Sequence, residues 1–174
     1  MNHLFVSSQT WRHRTYRMLL GMCLTALVLG SGGFVAWAQD KALPPGDVIS
    51  ARKTLMSVIA RNMYPLDEMI YTGKINLSRG RGHADSIAAM MQAFPLLFPA
   101  HTNAWKPGTT DPASATFADP HIWEQFDFFY KESMAASKYA FDASRAETEA
   151  QFRKSVTELR LTCDGCHATF QKNN

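Results

Sequence analysis

The chain has 174 residues, of which 46% are apolar and 19% are charged, with 10 glycines and 8 prolines. This composition is too apolar for a disordered chain and too poor in glycine and proline for a fibre, and three cysteines are too few for a disulfide scaffold. Three of the 18 basic residues and none of the acidic ones lie in residues 1–38, so residues 39–174 carry 15 basic and 15 acidic groups. This neutral body lacks the clustered basic residues with which proteins bind nucleic acid.

The first 38 residues have the three parts of a secretory signal peptide. Three arginines between residues 12 and 17 precede an apolar run over residues 18–30, and Ala-Trp-Ala at 36–38 is a small-residue cleavage pattern. The sequence therefore predicts export to the periplasm and a mature domain over residues 39–174. An uncleaved anchor helix is the alternative, because residues 18–38 are long enough to cross a bilayer.

The first helical pattern follows the proline pair at residues 44–45. Asp47 is its predicted N-cap. Its apolar positions recur at steps that are multiples of three and four, as a helix facing a core requires: Val48, Leu55, Ile59, Met63, Leu66 and Ile70. Pro65 is expected to kink this helix or to end its regular part at Tyr64.

A connection rich in glycine and arginine, residues 73–82, leads to the second predicted helix. Its apolar positions are Ile87, Met90, Met91, Phe94 and Leu97. The pattern breaks around Pro95 and Pro99, and residues 99–118 then form a link rich in threonine, alanine and proline. A link of this length inside one domain predicts a crossover or a functional loop.

Two more helical patterns complete the chain. Asp119 and Pro120 predict the start of the third helix, as N-cap and first helical residue. Its apolar face consists of Ile122, Trp123, Phe126, Phe129, Tyr130, Met134 and Phe141. Ser144 and Glu147 are spaced as a capping box that opens the fourth helix. The core positions of that helix are Phe152, Val156, Leu159, Cys163, Cys166 and Phe170. With no convincing strand, these patterns predict an all-α fold, an antiparallel four-helix bundle.

The fourth helix contains the segment Cys163-Asp164-Gly165-Cys166-His167. The spacing C-x-x-C-H is typical of c-type haem attachment. On a helix these two thiols and the imidazole share one face, since they lie at i, i+3 and i+4. The thiols can form thioethers with two vinyl groups of a porphyrin while the imidazole reaches the iron. Because this face is also the apolar face, the haem would lie in the bundle core near the C-terminal helix.

Three other interpretations of the two cysteines fit the sequence less well than haem attachment does. A redox dithiol usually lies at a helix N-terminus, where the helix dipole lowers a thiol pKa, whereas this pair lies near a helix C-terminus. A structural zinc site needs four ligands, and no second Cys or His cluster completes the three residues available here. A disulfide across C-x-x-C would strain the helix. The redox dithiol stays the main alternative.

The chain resembles the cytochrome c′ family, the class II c-type cytochromes, because one C-x-x-C-H motif lies close to the C-terminus after three helical segments. Residues 49–73 resemble the first helix of that family, 94–100 the end of its second, 120–123 the start of its third and 163–170 its haem helix. The resemblance implies a four-helix bundle with one covalently bound haem c. It also implies a periplasmic location and a protein that is often a homodimer.

The resemblance also implies roles for individual residues. Cys163 and Cys166 would form the thioethers and His167 would be the proximal iron ligand. Arg52 would lie near a haem propionate, and Met56, one turn later, would face the distal side of the iron. Two aromatic residues would pack near the macrocycle: Trp123 and Phe126.

Two positions depart from the family pattern. Leu161 stands where members usually have glycine, two residues before the first haem cysteine, so the helix is expected to approach the porphyrin differently. Gln171, with Lys172 beside it, stands where many members have arginine four residues after the haem histidine. The second change removes a cation from the proximal pocket, so gas binding follows least directly from the resemblance.

The sixth iron ligand separates two functional hypotheses. The leading one is a periplasmic electron carrier with Met56 and His167 as axial ligands, because thioether plus imidazole ligation raises the reduction potential. The other is a high-spin protein with an open distal site that binds NO or CO. Three histidines are weaker candidates for a distal ligand: His83, His101 and His121. A catalytic role is the weakest interpretation, since no nucleophile–base pair or phosphate loop was found, and the expected partner is an unidentified redox protein, with no nucleic acid and no membrane after signal cleavage.

Overall fold

The computed structural model describes residues 42–112 and 114–172. Five α-helices span this part of the chain: α1 (Pro45–Thr72), α2 (Leu77–Ala93), α3 (His121–Glu124), α4 (Phe126–Ser144) and α5 (Glu149–Phe170). Two 3₁₀ turns follow α2, at Phe94–Leu97 and Ala100–Thr102. Within the described ranges there is no strand, only an isolated antiparallel bridge between Ala118 and Gln171. The predicted signal peptide lies outside the described residues.

The four long helices confirm the predicted all-α fold, an antiparallel four-helix bundle. Residues 73–76 join α1 to α2 and residues 145–148 join α4 to α5, and connections this short place successive helices side by side in opposite directions. Helix α2 packs against α1 and α4, and α4 packs against α5. No helix within residues 42–112 and 114–172 is long and apolar enough to cross a membrane.

Helix α1 departs from the prediction at both of its prolines. It begins at Pro45, where a proline fits the first turn, so Asp47 lies inside that turn and is not the N-cap. Pro65 does not end the helix, which continues to Thr72. The buried apolar face also continues beyond Pro65, because Leu66 and Met69 are buried in the core. Their burial outweighs the hydrogen bond that proline removes, and the helix ends only before Gly73, which has a φ of 73°.

Helix α2 begins earlier than predicted. Asn76 caps it by accepting a hydrogen bond from the backbone N–H of Arg79 at 3.0 Å, so only residues 73–76 form the connection. Gly80, which was expected to lie in a loop, is a buried helical residue against Phe152 of α5. The local glycine content pointed to a loop, whereas here glycine allows two helices to approach closely.

A break at Gln125 divides the third predicted helix into α3 and α4. The Asp119 side chain does accept a hydrogen bond from the backbone N–H of His121, but α3 ends after one turn. The break rotates the predicted face, so Phe126, Tyr130 and Phe141 are 37%, 44% and 48% exposed. The buried stripe of α4 consists mainly of small residues: Phe129, Ser133, Ala136, Ser137 and Ala140.

The capping box predicted at Ser144 and Glu147 is wrong. Helix α4 continues to Ser144, whose hydroxyl donates to the Phe141 carbonyl, and the capping box is formed four residues later by Thr148 and Gln151. The stripe predicted for α5 is confirmed where it faces the core. Its fully buried members are Phe152, Val156, Leu159 and Phe170.

Candidate haem site

The C-x-x-C-H segment lies in the last two turns of α5, as its periodicity predicts. Cys166 and His167 line a cavity of about 400 Å³, and Cys163 joins them in lining an adjoining cavity of about 80 Å³. Both thiols are free and half-buried. The helical spacing therefore brings two sulfurs and an imidazole to one concave surface.

Helix α1 contributes the opposite side of the larger cavity. Arg52 and Met56, one helical turn apart, both line it, and Met56 also lines the smaller one. The remaining lining is largely aromatic and aliphatic. Its members come from all four long helices except α2, from α3, from the 3₁₀ turn after α2 and from residues 99–120, which we call the crossover: Ala60, Phe94, Phe98, Ala118, Ile122, Phe129 and Phe170. The volume lies in the range of cofactor pockets, and the mostly apolar lining suits a flat hydrocarbon surface.

Two basic residues line this cavity, and of these Lys53 is exposed and Arg52 is buried. Arg52 is 3% exposed, and its Nε atom is buried without a hydrogen-bond partner in the part of the chain that the structure describes. Its guanidinium lies over the rings of Phe98 and Trp123, with centroid distances of 4.9 and 5.5 Å. A buried cation with an unused donor beside an apolar cavity fits a ligand that has an apolar body and an acidic edge.

The two predicted aromatic residues lie behind the cavity lining. Trp123 donates from its indole N–H to the Phe98 carbonyl at 3.0 Å, and the Trp123 and Phe98 rings are 5.8 Å apart. Phe126 packs against Phe129 with a ring separation of 6.0 Å. Trp123 and Phe126 thus support Phe98 and Phe129, whose rings line the cavity.

The thiol pKa values bear on the redox dithiol alternative. Burial raises the pKa of Cys163 to about 11 and that of Cys166 to about 12. Reactive dithiols have lowered pKa values, because the thiolate is the nucleophile. Burial also lowers the pKa of His167, which favours the neutral imidazole that binds a metal. These groups therefore fit thioether attachment and iron ligation better than thiol–disulfide exchange.

The two departures from the family pattern have different structural outcomes. Leu161 is 60% exposed, so its side chain does not crowd the cavity. Gln171 lines the cavity near His167, while the Lys172 ammonium forms an ion pair with Asp119 at 2.6 Å. The Lys172 ammonium is therefore held by Asp119 and does not replace the positive charge that an arginine at position 171 would supply.

The other histidines have different partners. His83 shares a hydrogen bond with Asn62 at 3.0 Å, and His121 lies 2.8 Å from Asp119. His101 is exposed in the 3₁₀ turn at the start of the crossover. None of the three is among the residues that line the two cavities.

Three residues of the site were missed from the sequence. Phe98 lines the cavity, and Thr102 and Thr116 accept hydrogen bonds from Arg52. All three lie at the edge of or inside the 99–118 link. The length of that link was a signal of function, but nothing in its composition identified these positions.

Comparisons with known proteins agree with this fold and site. Residues 47–171 match the family model described as cytochrome c′. A cytochrome c′ from Pararhodospirillum photometricum is 30% identical over 132 residues, which cover 74% of this chain and 98% of that protein.

Solved structures share the fold at lower sequence identity. Cytochrome c′ from Thermochromatium tepidum has a TM-score of 0.66 and 18% identity, over 75% of this chain and 98% of that one. A nitric oxide complex of a mutant cytochrome c prime from Alcaligenes xylosoxidans has a TM-score of 0.62 and 14% identity, over 74% and 97% of the two chains.

The four-helix bundle and the C-x-x-C-H segment on its last helix define a c-type haem protein. The match of the family model over most of the chain makes the assignment specific, and the chain belongs to the cytochrome c′ family. Proteins of this family bind haem c, so the cofactor class predicted from the motif is confirmed.

Proposed function

We propose that this chain is an exported haem c protein that binds a small uncharged gas, above all nitric oxide. The observation that supports this proposal best is the apolar part of the cavity. It is lined by Met56 and Ala60 of α1 together with Phe94, Phe98 and Phe129. Such a lining accepts an uncharged diatomic molecule and excludes ions and water. The nitric oxide complex of a mutant of one structural neighbour is consistent with this use of the fold.

The residues of the chain would hold the cofactor as follows. Cys163 and Cys166 would each add a thiol across a vinyl group to form a thioether, and neutral His167 would donate a lone pair to the iron. Arg52 would place a positive charge beside an acidic edge of the porphyrin. When bound, the haem supplies an iron that binds diatomic ligands and exchanges single electrons.

Electron transfer is the second candidate, and one specific observation favours it. Met56 lines both cavities together with His167. If its thioether binds the iron, the pair of axial ligands raises the reduction potential and closes the gas site. The partner would then be a protein that exchanges electrons with the haem edge.

The optical spectrum of the reduced protein separates the two candidates. Gas binding predicts a high-spin spectrum that Met56→Leu leaves unchanged, with direct formation of a nitrosyl spectrum on addition of NO. Electron transfer predicts a low-spin spectrum that Met56→Leu converts to high-spin. Met90→Leu is the matched control, because Met90 packs against the core but does not line either cavity.

We further propose that the mature protein acts in the periplasm after removal of residues 1–38. The support is the agreement between the signal-peptide pattern and the haem motif, because c-type haem is attached outside the cytoplasm. The mass of the purified protein tests this proposal, and a mature N-terminus near Gln39 is expected. An intact N-terminus in the membrane fraction would instead indicate an anchor.

A further inference from the structure

Arg52 lines the larger cavity, and its guanidinium also donates hydrogen bonds to two residues that are distant in sequence. Its Nη1 atom donates to the Thr102 hydroxyl at 3.2 Å, and its Nη2 atom donates to the Thr102 carbonyl at 3.3 Å and to the Thr116 hydroxyl at 2.9 Å. These partners lie 50 and 64 residues away in sequence. Arg52 therefore joins α1 to both ends of the crossover.

These contacts define the position of Arg52 closely. The guanidinium is buried, and its contacts in the described residues are with neutral oxygens and aromatic rings. Burial lowers the pKa of Arg52 to about 10, which still leaves it protonated at neutral pH. A buried charge is costly unless its donors are satisfied, so Thr102 and Thr116 are held in place by that requirement. Thr102 itself is fully buried.

Thr116 passes this constraint on to residues 116–118, which we call the pocket wall. The Thr116 hydroxyl accepts a second hydrogen bond, from the backbone N–H of Ala118 at 3.1 Å. All three residues of the pocket wall line the larger cavity. One guanidinium thus supports a whole side of the cavity through a single hydroxyl.

The pocket wall is bound in turn to the end of α5. The Phe117 carbonyl accepts from the backbone N–H of Lys172 at 2.8 Å, and Asp119, next in the chain, donates its N–H to the Phe170 carbonyl at 2.9 Å. The N–H of Gln171 donates to the His167 carbonyl at 3.1 Å. These hydrogen bonds, joined by the peptide links between neighbouring residues, therefore connect Arg52 with the helical turn that contains His167.

We propose that Arg52 is a positioning residue that fastens the pocket wall and, through it, fixes the last turn of α5 and His167 relative to α1. This role is separate from any contact that Arg52 would make with an acidic edge of the porphyrin, because the Nε atom takes no part in the hydrogen bonds to Thr102 and Thr116. It concerns contacts within the chain and is the same for either candidate function.

Hydrogen exchange in the holoprotein tests this proposal. Arg52→Lys keeps the charge but loses the planar fork of donors, so exchange at the amides of Ala118 and Lys172 should rise by about tenfold. Exchange at Ala136 in the core of α4 should stay unchanged, which separates a local effect from general destabilisation. Arg61→Lys is the matched control, an exposed arginine on the same helix.

A pair of substitutions at Thr116 keeps the test decisive if Arg52→Lys fails to fold. Thr116→Val preserves the shape but removes the hydroxyl that accepts from Arg52 and should raise exchange at the Lys172 amide, whereas Thr116→Ser keeps the hydroxyl and should not. The Ala118 amide is not used for this pair, because Thr116→Val removes its own acceptor. The Soret band of each sample reports haem content separately. Equal exchange at Lys172 in Thr116→Val and Thr116→Ser would overturn the proposal.

Discussion

The interface between α2 and α4 and the cavity between α1 and α5 are built from different kinds of residue. The interface consists of small side chains, and the hydroxyls of Ser133 and Ser137 donate across it to the carbonyls of Met91 and Ala88, at 2.7 and 2.9 Å. The cavity has a buried arginine and aromatic rings around an open volume of about 400 Å³. The two serine hydroxyls of the first region are hydrogen-bonded, whereas in the second region Arg52 Nε has no hydrogen-bond partner among the described residues.

This difference shows which half of the bundle depends on its cofactor. Around Ser137 and Ala88, small residues pack α2 against α4 outside both cavities, so this contact holds the two helices together without a cofactor. Helices α1 and α5 also have buried core residues, but the space of the cavity between them is filled only when a flat apolar group occupies it. Substitutions should therefore affect stability in the first region and haem content in the second.

The largest expected effect is at the attachment cysteines. Cys163→Ala together with Cys166→Ala should abolish covalent attachment, because no thiol is left in the motif to form a thioether. The measurement is whether haem absorbance stays with the denatured chain after acid–acetone extraction. Loss of the porphyrin from the cavity should also lower the melting temperature, since its apolar burial is lost.

Gly165→Ala is the control within the same motif. A Cβ at this position would meet nothing within 4 Å, so attachment should remain complete. Haem that stays bound to the denatured double cysteine variant would contradict the assignment of the two thiols.

Gly80→Ala tests the packing of α2 against α5 outside the two cavities and should be next in size. An added Cβ would overlap the end of the Phe152 ring and lie 2.9 Å from its Cε2 atom. Because Phe152 is fully buried, α2 and α5 must separate, at a cost of about 1–3 kcal/mol in the free energy of unfolding. Denaturant unfolding measures this loss, with haem attachment expected to be unchanged.

Gly82→Ala is the matched variant on the same helix. Nothing lies within 4 Å of a Cβ at Gly82, and alanine is the better helix former, so stability should rise by up to about 1 kcal/mol. Similar changes in stability in both variants would mean that contact with Phe152 does not set the effect of Gly80→Ala.

The same contrast explains how much of the structure the sequence predicts. The stripe of α5 and the shared face of Cys163, Cys166 and His167 follow from local periodicity, which the structure preserves. The contacts of Arg52 with Thr102 and Thr116 span 50 and 64 residues and end in an irregular link, so no periodic pattern encodes them. The exposed positions on α4 were mistaken for core because a local break at Gln125 changes the helical phase.

The Asp119–Lys172 ion pair at the cavity should give a smaller, pH-dependent effect. Burial alone would raise the pKa of Asp119, but hydrogen bonds from Lys172 and His121 outweigh it and lower the pKa to about 2. Because this value lies below that of an unfolded aspartate, about 3.9, the pair stabilises the fold above pH 4 and the contribution is lost as the pH falls towards 2. Asp119→Asn should cost about 1–2 kcal/mol at pH 6 and progressively less below pH 4.

Melting temperatures of wild type and Asp119→Asn between pH 2 and 7 measure this convergence. Asp127→Asn, an exposed aspartate in the first turn of α4, is the control and should shift the melting temperature little. A difference between wild type and Asp119→Asn that stays constant down to pH 2 would exclude the ionised carboxylate as its source.

The smallest expected effect is at the serines between α2 and α4. Ser137→Ala removes a buried hydroxyl that donates from α4 to the Ala88 carbonyl of α2 and should lower the free energy of unfolding by about 1 kcal/mol, without changing haem content, because Ser137 lines neither cavity. Ser86→Ala removes an exposed hydroxyl that donates to the Gly82 carbonyl of its own helix, and alanine compensates there through its helix propensity. If the two variants unfold at the same denaturant concentration, the inter-helix hydrogen bonds add nothing to packing, and the contact between α2 and α4 rests on its small side chains alone.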